Sequence, residues 1–136
     1  MGWVRRAGIL FVVLVVALGL GGAAAGAKKK HKKKGHPWGS QMTLSHPSAT
    51  QFSGVVRSKL DACRSSRVVV LFYTDPNTRQ TSPLSVQRTD GKGRYEVNLS
   101  TPTYPGEYQA EVLKRKIRAM KAPQTCRDAV SPAISI

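Results

Sequence analysis

Two cysteines, three histidines, four aspartates and two blocks of lysine and arginine are the residues of this sequence best equipped to do chemistry. A cysteine becomes a nucleophile when a nearby base or positive field turns it into a thiolate. Arg64 and Arg127 adjoin Cys63 and Cys126, but no histidine does. Pairing is the other chemistry open to two cysteines, and in a small exported domain it is the usual one. A Cys63 to Cys126 bridge encloses 62 residues and, on the chain-entropy account, disfavours the unfolded chain by about 4 kcal/mol. His31, His36 and His46 all lie ahead of the folded region, irregularly spaced and without a cysteine or carboxylate beside them. They predict neither a metal site nor an imidazole base. Asp61, Asp75, Asp90 and Asp128 offer a carboxylate pair in principle, but no glycine-bracketed nucleophile accompanies them. The expectation is a non-enzymatic protein without cofactor or metal.

Charge is the stronger signal. The 136 residues include 22 Lys and Arg against 7 Asp and Glu, a net charge of +15. Lys28, Lys29, Lys30, Lys32, Lys33 and Lys34 crowd seven positions, and Lys114, Arg115, Lys116, Arg118 and Lys121 form a second block. The first block repels itself and has nothing apolar to bury, so residues 28–43 are expected to form a disordered Lys/His-rich arm. Both blocks point to a polyanion held by charge: an anionic cell-wall polymer or lipid headgroups. Nucleic acid meets the same charge requirement, but export makes it an unexpected physiological partner. Trp38 is the only aromatic of the arm, too few to stack single-stranded bases.

Residues 1–27 have the order of an export signal. Arg5 and Arg6 form a basic start, Ala7 to Leu20 is uncharged and apolar, and small residues fill Gly21 to Ala27. Ala25-Gly26-Ala27 supplies the small side chains that a signal peptidase requires, which predicts cleavage after Ala27, with Ala23-Ala24-Ala25 as a second choice. The alternative is an uncleaved signal anchor holding a surface domain. Ala7 to Ala27 is long enough for it, and the six lysines that follow oppose the usual orientation rule for a cleaved leader. The expected location is secreted or extracytoplasmic, associated with the cell envelope.

The elements that must position the second block read as all-β from about residue 44 to 136. Short apolar runs alternate with turn residues. Gln51 to Ser58 is a first strand, and the β-branched run Arg67 to Tyr73 a second, apolar on both faces and so central in its sheet. Leu84 to Arg88 follows. Asp90-Gly91-Lys92-Gly93 then predicts a tight hairpin into Arg94 to Leu99, whose period of two is clean. Glu107 to Ala122 holds no Gly or Pro and has apolar residues at helical spacing. The all-β context nonetheless predicts a strand over Glu107 to Leu113, with a helical turn or basic loop over Lys114 to Lys121. Ala129 to Ile136 is the last strand, marked by Pro132 as an edge or bulge.

The order Phe52-Ser53-Gly54-Val55-Val56, Cys63, Arg67 to Leu71, Asp90-Gly91-Lys92-Gly93-Arg94-Tyr95-Glu96-Val97, Pro105-Gly106-Glu107-Tyr108 and Cys126 resembles the carboxypeptidase regulatory-like (prealbumin-like) domains of secreted bacterial proteins. The resemblance covers roughly residues 51–136. It implies a single Ig-like, prealbumin-like β-sandwich of about seven strands that acts as a non-catalytic module. Joined to the charge pattern, it leads to an extracellular binding or structural protein whose cationic arm adheres to anionic polymers. A protein partner at an open sheet edge is a further expectation. A small hydrolase is the weaker alternative.

Overall fold

The computed structural model describes Gly35 and residues 37–118 and 122–136. The expected leader, Lys28 to Lys34, His36 and Lys121 lie outside the described residues. Among the described residues there are twelve strands: β1 (Pro37–Trp38), β2 (Gln41–Met42), β3 (Ser45–Ser48), β4 (Gln51–Arg57), β5 (Val68–Thr74), β6 (Thr81–Arg88), β7 (Arg94–Asn98), β8 (Glu107–Val112), β9 (Arg115–Ile117), β10 (Gln124–Cys126), β11 (Ala129–Val130) and β12 (Ile134–Ser135). A 3-10 turn spans Asp61–Cys63.

Many of these strands are fragments of longer ones. β4 is flanked by β7 on one edge and by β2 and β3, end to end, on the other. In the second sheet the order is β6, β5, β8 and then β11 with β12, also end to end. Three strand positions thus face four, seven in all, an all-β sandwich with every pairing in its two sheets antiparallel. Between the sheets lie Phe52 and Val56 of β4, Val69 and Leu71 of β5, Tyr95 and Val97 of β7, and Tyr108, Ala110 and Val112 of β8. Their spacing of two, or of four across Gly54 in β4, is the strand period that sequence alternation anticipates. The central placement of the β5 run also holds, since it pairs with β6 and β8. The burial of Tyr95 needs an absent side chain: Gly54 is its partner across the ladder. A Cβ there would collide with the Tyr95 hydroxyl and the Thr43 carbonyl, between which a 2.6 Å hydrogen bond runs, donated by the phenol.

Four features differ from expectation. Asp90 to Gly93 does not close a hairpin within one sheet; β6 pairs with β5 and β7 with β4, so the turn carries the chain from one sheet to the other. Only Gly93 of the two turn glycines has positive φ, at +84°, and its carbonyl accepts the Val56 amide at 2.8 Å. The basic segment after β8 is neither helical nor loop throughout, because Arg115–Ile117 pairs with β10. The last strand keeps the edge position that Pro132 predicts but is split there into β11 and β12. Pro132 has no amide to give, and the ladder runs through Ser131 instead: its amide donates to the Ala110 carbonyl at 2.8 Å, and its hydroxyl accepts the Ala110 amide at 3.0 Å where a carbonyl would ordinarily do so. Order also begins earlier than residue 44: β1 pairs in parallel with β10, and β2 with β4. His46 likewise belongs to the fold rather than preceding it, with its ring 4.7 Å from that of Phe52.

The registers define two ends. Arg57 of β4, Val68 of β5, Arg88 of β6, Arg94 of β7 and Val112 of β8 lie at one. Gln51, Thr74, Thr81, Asn98 and Glu107 lie at the other.

Candidate functional site

Connections alternate between these two ends, and the cations do not. The segments 58–67, 89–93 and 113–128 all lie at the first end, together with β1. Arg57, Lys59, Arg64, Arg67, Arg88, Lys92, Arg94, Lys114, Arg115, Lys116, Arg118 and Arg127 sit in those segments or on the strand ends beside them. Arg79 is the one described Lys or Arg at the opposite end, where it shares a turn with Asp75. At the first end the acids among the described residues are Asp61, Asp90 and Asp128.

Within that end, β9, β10 and β1 form a small third sheet. Lys116 lies opposite Thr125 and Arg115 opposite Cys126. Successive side chains of a strand alternate, so Lys114, Lys116 and Arg118 share one face. Arg115 turns to the other, where its guanidinium donates to the Ser65 carbonyl at 3.0 Å. All four of these basic residues are exposed. β9 is the outer strand of its sheet, and a row of charges on an edge strand also discourages pairing with another chain.

A cluster of like charges needs counter-dipoles, and the loop after β4 provides them as carbonyl oxygens. Arg67 is completely buried. Its Nη1 donates to the Cys63 carbonyl at 2.7 Å and the Ser40 hydroxyl at 3.2 Å, and its Nη2 donates to the carbonyls of Leu113 at 2.7 Å and Arg127 at 2.8 Å. No carboxylate bonds to it, and its Nε is buried without a partner. Burial, and then the nearby Arg115, lower its proton affinity, while Asp128 partly restores it. A guanidinium stays charged regardless, so the group acts as a fixed cation gathering four segments of chain. The Ser66 carbonyl collects Arg88 Nη1 at 3.3 Å and Arg115 Nη1 at 3.5 Å. Ser66 itself adopts positive φ, 53°.

Cys63 and Cys126 are joined by a disulfide, and both are fully buried. The bridge fastens the loop after β4 to β10, and so anchors the small basic sheet to the sandwich. Trp38 of β1 adds a 2.6 Å hydrogen bond from its indole Nε1 to Gln124 Oε1. On the sheet-crossing turn, Arg94 pairs with Asp90 at 2.9 Å. The Arg94 backbone amide, more than its guanidinium, holds the Asp90 carboxyl below the ordinary range. Between that turn, β3 and β4 lies an open groove of about 670 Å³ with Arg88, Asp90, Arg94 and Glu96 on its walls.

Of the residues that sequence singled out, Lys114, Arg115, Lys116 and Arg118 are brought together with Cys63 and Cys126; Lys28, Lys29, Lys30, Lys32, Lys33, Lys34 and Lys121 lie outside the described residues. Arg57, Arg64, Arg88, Arg94 and Arg127 were missed, because each is isolated in the chain. Summing charge over every second connection would have found them. No protein-family model matches this chain, and no curated protein matches it.

Proposed function

We propose that this is a non-enzymatic, extracytoplasmic binding module that adheres to anionic polymers or lipid headgroups of the cell envelope through its cationic end. The observation that carries the reading is the segregation of charge, with twelve of thirteen described cations at one end of the sandwich. Chain connectivity adds the arm: Lys34 precedes Pro37 of β1 by three residues in the sequence. A leader removed after Ala27 would leave that arm at the N-terminus. The disulfide is compatible with such a compartment. Kinship with carboxypeptidase regulatory-like modules belongs to the same proposal, supported by seven antiparallel strand positions.

The test is titration of the chain beginning at Lys28 against poly(glycerol phosphate) and against phosphatidylglycerol vesicles. Affinity is expected to fall at least about tenfold between about 50 and about 300 mM salt, because screening lengths shrink over that range. Lys114→Glu with Lys116→Glu and Arg118→Glu should weaken binding by about tenfold, while Arg79→Glu at the other end changes it less than about twofold. Salt-resistant binding, or equal losses from both ends, would overturn the reading.

A further inference from the structure

The end away from the cations carries a cleft of about 180 Å³ between the connection 99–106 and strands β5 and β6. On its rim Tyr104 is 65% exposed. The same residue's backbone is held fast: the Tyr108 hydroxyl accepts its amide and donates to its carbonyl, each at 2.9 Å. Around it the Thr103 amide donates to Ala49, the Gly106 amide to Ile136, and the Tyr73 hydroxyl to Pro105, at 2.8, 3.0 and 3.0 Å. A connection pinned at so many points keeps an aromatic ring in water, and a contact group ordered in advance has little left to lose on binding. Leu84, 42% exposed on the edge strand β6, forms the facing wall.

Chemistry narrows the occupant. Other clefts on the molecule contain Arg57, or Arg79 with Glu107, or the Arg88 to Glu96 set; this one contains no charged side chain. Its polar groups are hydroxyls. Among the described residues those of Ser100, Thr101 and Thr103 make no hydrogen bond, so they are free to give and accept. Drug-sized pockets run from about 300 to about 1,000 Å³, so this cleft takes one ring of a chain rather than a whole molecule. An aromatic face for the apolar side of a ring, an aliphatic wall and a rim of neutral donor-acceptors suit a sugar. An anion would find no counter-charge. A proline-rich strand would use the aromatic ring but leave the hydroxyl rim unmatched.

We propose that this cleft is a carbohydrate site that takes one neutral pyranose unit of a polysaccharide, stacked on Tyr104 and hydrogen-bonded to Ser100, Thr101 and Thr103. The site is independent of the cationic end. Backbone-amide NMR spectra of the chain are recorded with maltohexaose, cellohexaose and chitohexaose, with a proline-rich decapeptide as comparator. At least one hexasaccharide should shift resonances of 99–106 and Leu84 saturably, with an affinity unchanged within about twofold from about 50 to about 300 mM salt. Tyr104→Ala should lower that affinity at least about tenfold, as expected of an aromatic anchor, with Tyr104→Phe retaining it. The Lys116→Glu chain should bind the sugar like the parent, so that loss of polyanion binding and loss of sugar binding read separately. No saturable shift up to about 20 mM sugar, far above the range of specific sites, would overturn the proposal. So would shifts confined to the cationic end, affinity unchanged in Tyr104→Ala, or saturation by the peptide alone.

Discussion

At the cationic end a buried guanidinium draws on carbonyl oxygens from three separate loops, while at the other end a buried phenol draws on the amide and carbonyl of a residue four positions away. Both devices close the sandwich where its strands run out. The tyrosine needs little, because a neutral hydroxyl has one donor and few obligations. Its ring continues an aromatic stack, with Phe52 at 4.9 Å and Tyr73 at 5.2 Å. Arginine brings five donors and a charge that cannot be shed. It therefore commits acceptors from segments far apart in the chain, and one of its nitrogens still goes without. The phenol's own hydrogen bonds are thus local, whereas those of the guanidinium come from segments spread along the domain.

Removing each device in turn tests that contrast. Arg67→Met should cost the most, about 3–5 kcal/mol in urea unfolding, since it removes a buried charged donor from three carbonyls at once, that of the buried Cys63 among them. A loss under about 1 kcal/mol would mean that the loops close without it. Tyr108→Phe should cost about 1–2 kcal/mol, the worth of the two hydrogen bonds at Tyr104. Hydrogen exchange in that variant should rise in 99–106 and not around Cys63. Acid should separate the ends least. Asp75 at the neutral end is held below the ordinary carboxyl range by the amides of Thr78 and Asn77, as Asp90 at the cationic end is chiefly by that of Arg94. A depressed folded value means stability that is present above the unfolded carboxyl value of about 3.9 and lost as pH falls through the lower folded ones. Amide exchange in 75–80 and 89–94 should therefore quicken together below about pH 4. Quickening in only one turn would show that the two aspartates hold their loops unequally.

What sequence makes legible is whatever is local. The alternation of Tyr95 and Val97, the β-branched run of β5 and the pairing of the two cysteines all follow from nearest neighbours or from simple arithmetic. The sheet-crossing turn is not local: Asp90 to Gly93 has the composition of a hairpin, and only the competing partners of β6 and β7 decide otherwise. β9 fails for a related reason. A strand of three residues has almost no period to read, and its partner comes several residues later across the undescribed 119–121. β1 and β2 were hidden by their lysine-rich neighbourhood, although the buried Met42 shows that the core reaches β2. Charge segregation was illegible because it is a property of alternate connections rather than of any run. The Tyr104 cleft was missed because an exposed tyrosine between two prolines looks like ordinary loop until Tyr108 is seen to hold it.

The parallel contact of β1 with β10 also has a meaning in time. The Trp38 to Gln124 hydrogen bond joins residues 86 positions apart, and the disulfide joins residues 63 apart, whereas β5 and β6 meet across a short turn. Contacts separated so widely carry the larger closure entropy and form late. In chain order β2 to β8 all precede β10, so most strands of the sandwich are made before the partner of β1. β1, the first of the described strands in chain order, is among the last to find its partner.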